Sequence, residues 1–135
     1  MLTQKDVDDV SYRIIGAAIE VHKNVGPGFI ESVYEKCFLK ELELRGLSYR
    51  RQPILTYNYK GIDVNVRLRA DLIVEDLVVV ELKAVDILLP LFEAKLLTYM
   101  RLAKCPKGII LNFSCTNIFR EGQKTFVNEL YSALP

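Results

Sequence analysis

The chain opens on apolar positions at helical spacing. After Thr3, a residue suited to cap a helix, Val7, Val10, Ile14, Ala17, Ala18 and Val21 recur every three or four residues until Gly26, Pro27 and Gly28 interrupt them. This predicts a first helix. A second run, through Ile30, Val33, Tyr34, Cys37, Phe38 and Leu42, ends at Gly46, where glycine suits the positive φ of a helix C-terminus. The period then changes. Residues 54–59 and 62–74 are rich in aromatic and β-branched side chains and flank Lys60 and Gly61, which predicts a hairpin. Residues 77–85 begin as an unbroken apolar run and predict a strand in mid-sheet, covered on both faces. Pro90 suits a helix start, with Phe92, Leu96, Tyr99, Met100 and Ala103 on one face. Residues 108–113 predict another buried strand, and 123–134 a last strand followed by a helix. The expected class is α/β: a mixed β-sheet flanked by helices, in one domain spanning residues 1–135.

Composition narrows the setting. Half of the 135 residues are hydrophobic and 26% charged, which is enough for a continuous core without staples. No apolar run reaches the ~18 residues that cross a bilayer, so no membrane partner is expected. The start, MLTQKDVDD, is polar and acidic where an export signal has a basic and then an apolar stretch, and a cytoplasmic location is expected. Cys37, Cys105 and Cys115 are odd in number and lack CxxC spacing, which argues for idle thiols over disulfides or zinc. A net charge of +1 gives no global footprint for nucleic acid, so any such contact depends on a local basic patch. His22, the only histidine, receives no role.

The chemistry is concentrated at the end of one strand. After Leu77–Val80, apolar throughout, come Glu81 and Lys83, and burying such charges costs several kcal/mol each unless they are paired or bind an ion. The strand period of two puts Glu81 and Lys83 on one face, with Val80 and Leu82 on the other. Register decides whether Asp71 joins them. A two-residue turn at Glu75 and Asp76 would pair Asp71 with Val80 and turn the carboxylates apart. A three-residue connection, Glu75 to Leu77, pairs Val74 with Val78 and Asp71 with Glu81, roughly 5 Å apart at Cβ. The second register is expected. Opposed carboxylates repel unless a divalent cation neutralises them, and hard oxygen ligands suit Mg²⁺ or Mn²⁺. With Lys83 orienting a metal-coordinated water or meeting the charge of the transition state, this is an arrangement for phosphodiester hydrolysis. The bland alternative is a solvated pair on an edge strand. Arg67 and Arg69 alternate onto the face of Asp71 and are candidate phosphate contacts; Lys95, Arg101 and Lys104 could gather with them.

Several ordered motifs then carry a resemblance. GFIESVY (28–34), RADLIVEDLVVVELKAV, KLLTY (95–99) and IEVHKNVGPG together resemble the GxxExxY family of the PD-(D/E)XK nuclease superfamily, from about Ile14 to about Val127. The resemblance implies a restriction-endonuclease-like fold and a metal-dependent nuclease. In it Asp71 and Glu81 hold Mg²⁺ or Mn²⁺, Lys83 is the catalytic lysine, Glu31 is an acid from an early helix, and the Leu82 carbonyl is a further ligand. Read without the resemblance, Glu31 is a first-turn carboxylate answering the helix dipole. Gly28 serves the tight turn into helix two, and Tyr34 packs with its hydroxyl bonded nearby. Related sites pair Gln with Tyr four residues apart on the following helix, as substrate contacts. Here the pair is Lys95 and Tyr99, and lysine cannot accept a hydrogen bond as the amide does. Where His is frequent among relatives, Phe92 stands. The implied partner is nucleic acid, with DNA the first expectation and a homodimer expected. No zinc finger, helix-turn-helix or aromatic platform specifies the polymer further. The alternative function is a catalytically inactive module on the same fold that binds nucleic acid or protein.

Overall fold

The computed structural model describes every residue except Arg69 and Ala70, and at Asp71 the backbone alone. Helix α1 (Gln4–Val25) starts in a capping box: the Thr3 hydroxyl accepts from the Asp6 N–H at 3.1 Å, and the Asp6 carboxylate accepts from the Thr3 N–H at 2.9 Å. It stops at Gly26, φ +72°. Its buried stripe, Val7, Ser11, Ile14, Ala17, Ala18 and Val21, is the predicted one with Ser11 added and Val10 only half-buried. Helix α2 (Glu31–Leu44) buries Tyr34, Phe38 and Leu42 and is followed by Gly46 at φ +70°.

Five strands form the main sheet, in spatial order β1 (Tyr49–Arg51), β4 (Asp71–Val74), β5 (Val78–Lys83), β6 (Lys107–Asn112) and β7 (Gln123–Val127). Only β5 and β6 run parallel, joined by a crossover through helix α3 (Pro90–Ala103); the other neighbours are antiparallel. The period of two sends alternate residues of the central strands to opposite cores. Val78, Val80, Leu82, Ile109 and Leu111 meet α1 and α2, whereas Val79 and Ile110 meet Leu96 and Met100 of α3. The sheet is therefore covered on both faces, which is why β5 reads as an apolar run. At the C-terminal end, β7 leads into the short α4 (Glu129–Ser132), capped by Asn128.

The connection between β4 and β5 decides the site, and its register is the predicted one. Val74 pairs with Val78 and Asp71 with Glu81. Glu75 and Asp76 both sit at φ +54°, and the Leu77 N–H donates to the Val74 carbonyl at 3.0 Å. The three-residue connection keeps the inward and outward sets of both strands in phase.

Two strand expectations are corrected. Residues 62–74 are not one strand: β3 (Ile62–Arg67) pairs only with β2 (Ile54–Tyr59) in a separate two-stranded ribbon, and β4 begins afterwards in the main sheet. The ribbon closes at its base, where the Leu68 N–H donates to the Pro53 carbonyl at 3.0 Å, and the Leu68 side chain is buried. The second correction is β1, three residues reading YRR that carry too little apolar pattern to announce a strand. It takes the edge beside β4, where charged residues suit an uncovered ladder.

Candidate active site

The site lies where β5 stops being apolar. Val78 to Leu82 are buried, and Lys83 is half-buried as the strand leaves the sheet. Glu81 and Lys83 share the face that α3 covers, because Val79 below them belongs to the α3 core. Lys83 Nζ lies 3.1 Å from Glu81 Oε1, with side-chain exposures of 17% and 6%. The second carboxylate oxygen, Glu81 Oε2, is buried and has no hydrogen-bond partner among the described residues. A buried charged oxygen left unsatisfied costs more than the ~1–3 kcal/mol of a neutral group, so folding stability does not account for this carboxylate. A divalent cation would satisfy it. The donor set fits a hard ion: Glu81 offers an open carboxylate oxygen, and the register sets Asp71 directly opposite it. The side chain of Asp71 lies outside the described residues. Among the described residues no three histidine, cysteine or acidic side chains gather as a metal cluster.

Two neighbours hold this strand end. The Phe92 ring, in the first turn of α3, lies beneath the Lys83 ammonium, 4.1 Å from centroid to Nζ. On β6, Asn112 pairs in register with Lys83 and clamps the chain beyond it. Its Nδ2 donates to the Val85 carbonyl at 2.9 Å, and its Oδ1 accepts from the Val85 N–H at 3.1 Å and the Ser114 N–H at 3.2 Å. Neither residue stood among the sequence candidates. Phe92 belongs to an apolar helical stripe and reads as core, and Asn112 is one polar residue ending an apolar strand.

The other candidates divide. Glu31 is the first residue of α2, half-buried, on the helix layer covering the opposite face of the sheet; its carboxylate makes no hydrogen bond or ion pair among the described residues. The Leu82 side chain points into the α1 and α2 core, and its carbonyl lies between the two charged residues along the strand. Lys95 is exposed on α3, one turn before the half-buried Tyr99, which packs against the α3 core. Arg67 is exposed on the ribbon and pairs with Ile54, so its supposed alternation along one strand with Asp71 fails because the strand is divided. Arg69 lies outside the described residues. Arg101 and Lys104 line a hollow with Asn128 and Leu130 at the far end of α3. At 1.5 Å per residue Lys104 is about 18 Å along the helix from Phe92, and it does not gather with Lys83.

The supporting motif behaves as expected. Gly28 has φ +109° in the turn before α2. The Tyr34 hydroxyl donates to the Gly26 carbonyl at 2.6 Å and accepts from the Phe29 N–H at 3.2 Å, while its buried ring stacks on Phe113 at 4.5 Å. His22 Nε2 lies 2.8 Å from the Cys115 carbonyl oxygen, a structural contact between α1 and the loop after β6. Burial pushes the Cys105 thiol up to about 11, which makes it unreactive at neutral pH.

Comparison with known proteins agrees with this fold. The family model of the PD-(D/E)XK nuclease superfamily matches residues 8–126, a span running from α1 into β7. The mixed sheet flanked by helices is a restriction-endonuclease-like fold. No curated protein and no solved structure matches the chain.

Proposed function

This chain belongs to the PD-(D/E)XK nuclease superfamily, and we propose that it is a metal-dependent nuclease whose site is the Asp71, Glu81 and Lys83 end of β4 and β5. The observation that carries the reading is Glu81 Oε2, without a hydrogen-bond partner among the described residues, beside a lysine on a strand otherwise built for burial. Glu81 and Asp71 are the anionic ligands, the Leu82 carbonyl is a neutral one, and Glu31 is a further acid from the start of α2. Mg²⁺ or Mn²⁺ held there supplies Lewis-acid polarisation of a phosphoryl oxygen and a more acidic coordinated water. Lys83 places a positive charge where the attacking oxygen and the developing phosphorane charge need it. Lys95, Tyr99, Arg67 and Arg69 are the proposed phosphate contacts, through which the protein would hold a nucleic-acid backbone, DNA first.

Within the superfamily we assign the chain to the GxxExxY group, as one domain acting as a homodimer in the cytoplasm. No described helix is long and apolar enough to cross a membrane. One observation favours a second reading, an inactive binding module: exposed Lys95 stands where an amide would meet the site. A panel of linear, circular, single-stranded and branched DNA, and RNA, with Mg²⁺ or Mn²⁺ separates the two. The nuclease cleaves at least one substrate, and Glu81→Ala does not. Retention on a substrate without cleavage selects the binding module.

A further inference from the structure

Lys83 has one ionic partner among the described residues, Glu81 Oε1 at 3.1 Å, and that same carboxylate is a proposed cation ligand. The open Oε2 can face a cation while Oε1 keeps the lysine, but a carboxylate whose charge is shared with a cation holds a lysine on a flexible four-carbon stem more weakly. The structure supplies a second anchor. The Phe92 ring lies 4.1 Å from the Lys83 nitrogen, the closest of four lysine–ring contacts among the described residues; the others span 5.4 to 5.9 Å. The ring is itself immobilised. Pro90 opens the helix, the Phe92 N–H donates to the Leu89 carbonyl at 3.0 Å, and the side chain packs against the Leu96 and Val79 core.

We propose that Phe92 is a positioning residue for Lys83: its π-face holds the ammonium in place independently of Glu81, so that the carboxylate can turn to a cation without releasing the lysine. This inference rests on the nuclease reading for its purpose but on the contact alone for its geometry. An aromatic ring attracts a cation through its quadrupole, an attraction that strengthens away from water, and an aliphatic side chain of similar size provides none. Position 92 is therefore required to be aromatic and not merely apolar.

The first test needs no activity. In the metal-free protein, a ring under the ammonium shifts the Lys83 ε-methylene proton resonances upfield by ring current. The shift is expected in the wild type and in Phe92→Tyr and lost in Phe92→Leu and Phe92→Met, with the melting temperature recorded for each. Unshifted ε-methylene resonances in the folded wild type would overturn the proposal. The kinetic test follows on any substrate the wild type cleaves. Phe92→Leu lowers kcat about tenfold while KM and the Mn²⁺-induced rise in melting temperature stay unchanged, and Phe92→Tyr restores kcat. Full kcat in a folded Phe92→Leu would overturn the positioning role and leave the nuclease reading standing. A wild type that shows the resonance shift and cleaves nothing would sink the nuclease reading and leave the contact established.

Discussion

A buried and a half-buried lysine sit at opposite ends of the parallel strand pair, and their partners differ. Lys107 starts β6 beside Val78, and Lys83 ends β5 beside Asn112. Lys107 Nζ meets Asp8 Oδ1 at 2.7 Å, and both oxygens of that carboxylate accept from the Tyr131 hydroxyl, at 3.0 and 2.9 Å. The network ties α1, β6 and α4 together, next to the Gln4 N–H donated to the Pro135 carbonyl. Every carboxylate oxygen there has a partner. At Glu81 one oxygen has Lys83 and the other has no partner among the described residues, although Glu81 is the more buried of the two acids, at 6% against 47% side-chain exposure. A satisfied pair belongs to the architecture, and an unsatisfied one in a deeper position is what the proposed metal site calls for.

Removing Lys83 has the largest effect. Lys83→Ala lowers cleavage by about 100- to 1,000-fold through loss of charge at the transition state. It also lowers metal-free stability by about 3 kcal/mol by isolating a buried anion. Single-turnover kinetics and urea unfolding measure the two effects. Next comes the network at the other end. Asp8→Ala deprives the buried Lys107 ammonium of its partner and costs about 1–2 kcal/mol, with cleavage by the folded protein unchanged. Glu81→Gln gives the sharpest contrast: metal-free stability changes by no more than about 0.5 kcal/mol, because removing a charge that lacks half its partners offsets the ion pair lost by Lys83, whose ammonium keeps the Phe92 ring. A loss comparable to that in Asp8→Ala would mean that Glu81 is structural too.

The smallest effect is on pH dependence. Burial pushes the Asp8 carboxyl up, but hydrogen bonds from Lys107 and Tyr131, with the Lys107 charge, outweigh it and hold the group below its ordinary 3.8. A depressed pKa stabilises the fold above the unfolded value and is lost as pH falls through the folded one. The melting temperature of the wild type should therefore fall more steeply below pH 3.8 than that of Asp8→Asn, measured from pH 5 to 2.

The contrast also shows how much could be read in advance. The pairing of Asp71 with Glu81 was legible because a period of two and a turn length leave few registers, and a one-residue slip would exchange the apolar residues of β4 between the two cores. The two-layer burial of β5 was legible in the unbroken apolar run that opens it. The division of residues 62–74 was not, since Ile62, Val64 and Val66 alternate on the ribbon as they would in a main-sheet strand. What separates them is the Leu68–Pro53 hydrogen bond, a tertiary contact without a glycine or proline after Arg67 to mark the break. Phe92 was hidden because a ring under an ammonium and a ring in a core have the same helical spacing. The half-satisfied state of Glu81 depends on packing around a single oxygen, which no sequence pattern records.

The most direct test of the central claim is thermal unfolding of the wild type and Glu81→Gln across a titration of Mn²⁺. At 100 times the dissociation constant, a bound ion adds about 2.7 kcal/mol, roughly 10 °C for a domain of this size. The wild type is expected to show that rise and Glu81→Gln to lose it. Equal melting curves for the wild type with and without saturating Mn²⁺, or a rise of the same size in Glu81→Gln, would contradict the assignment of Glu81 as the metal-holding carboxylate.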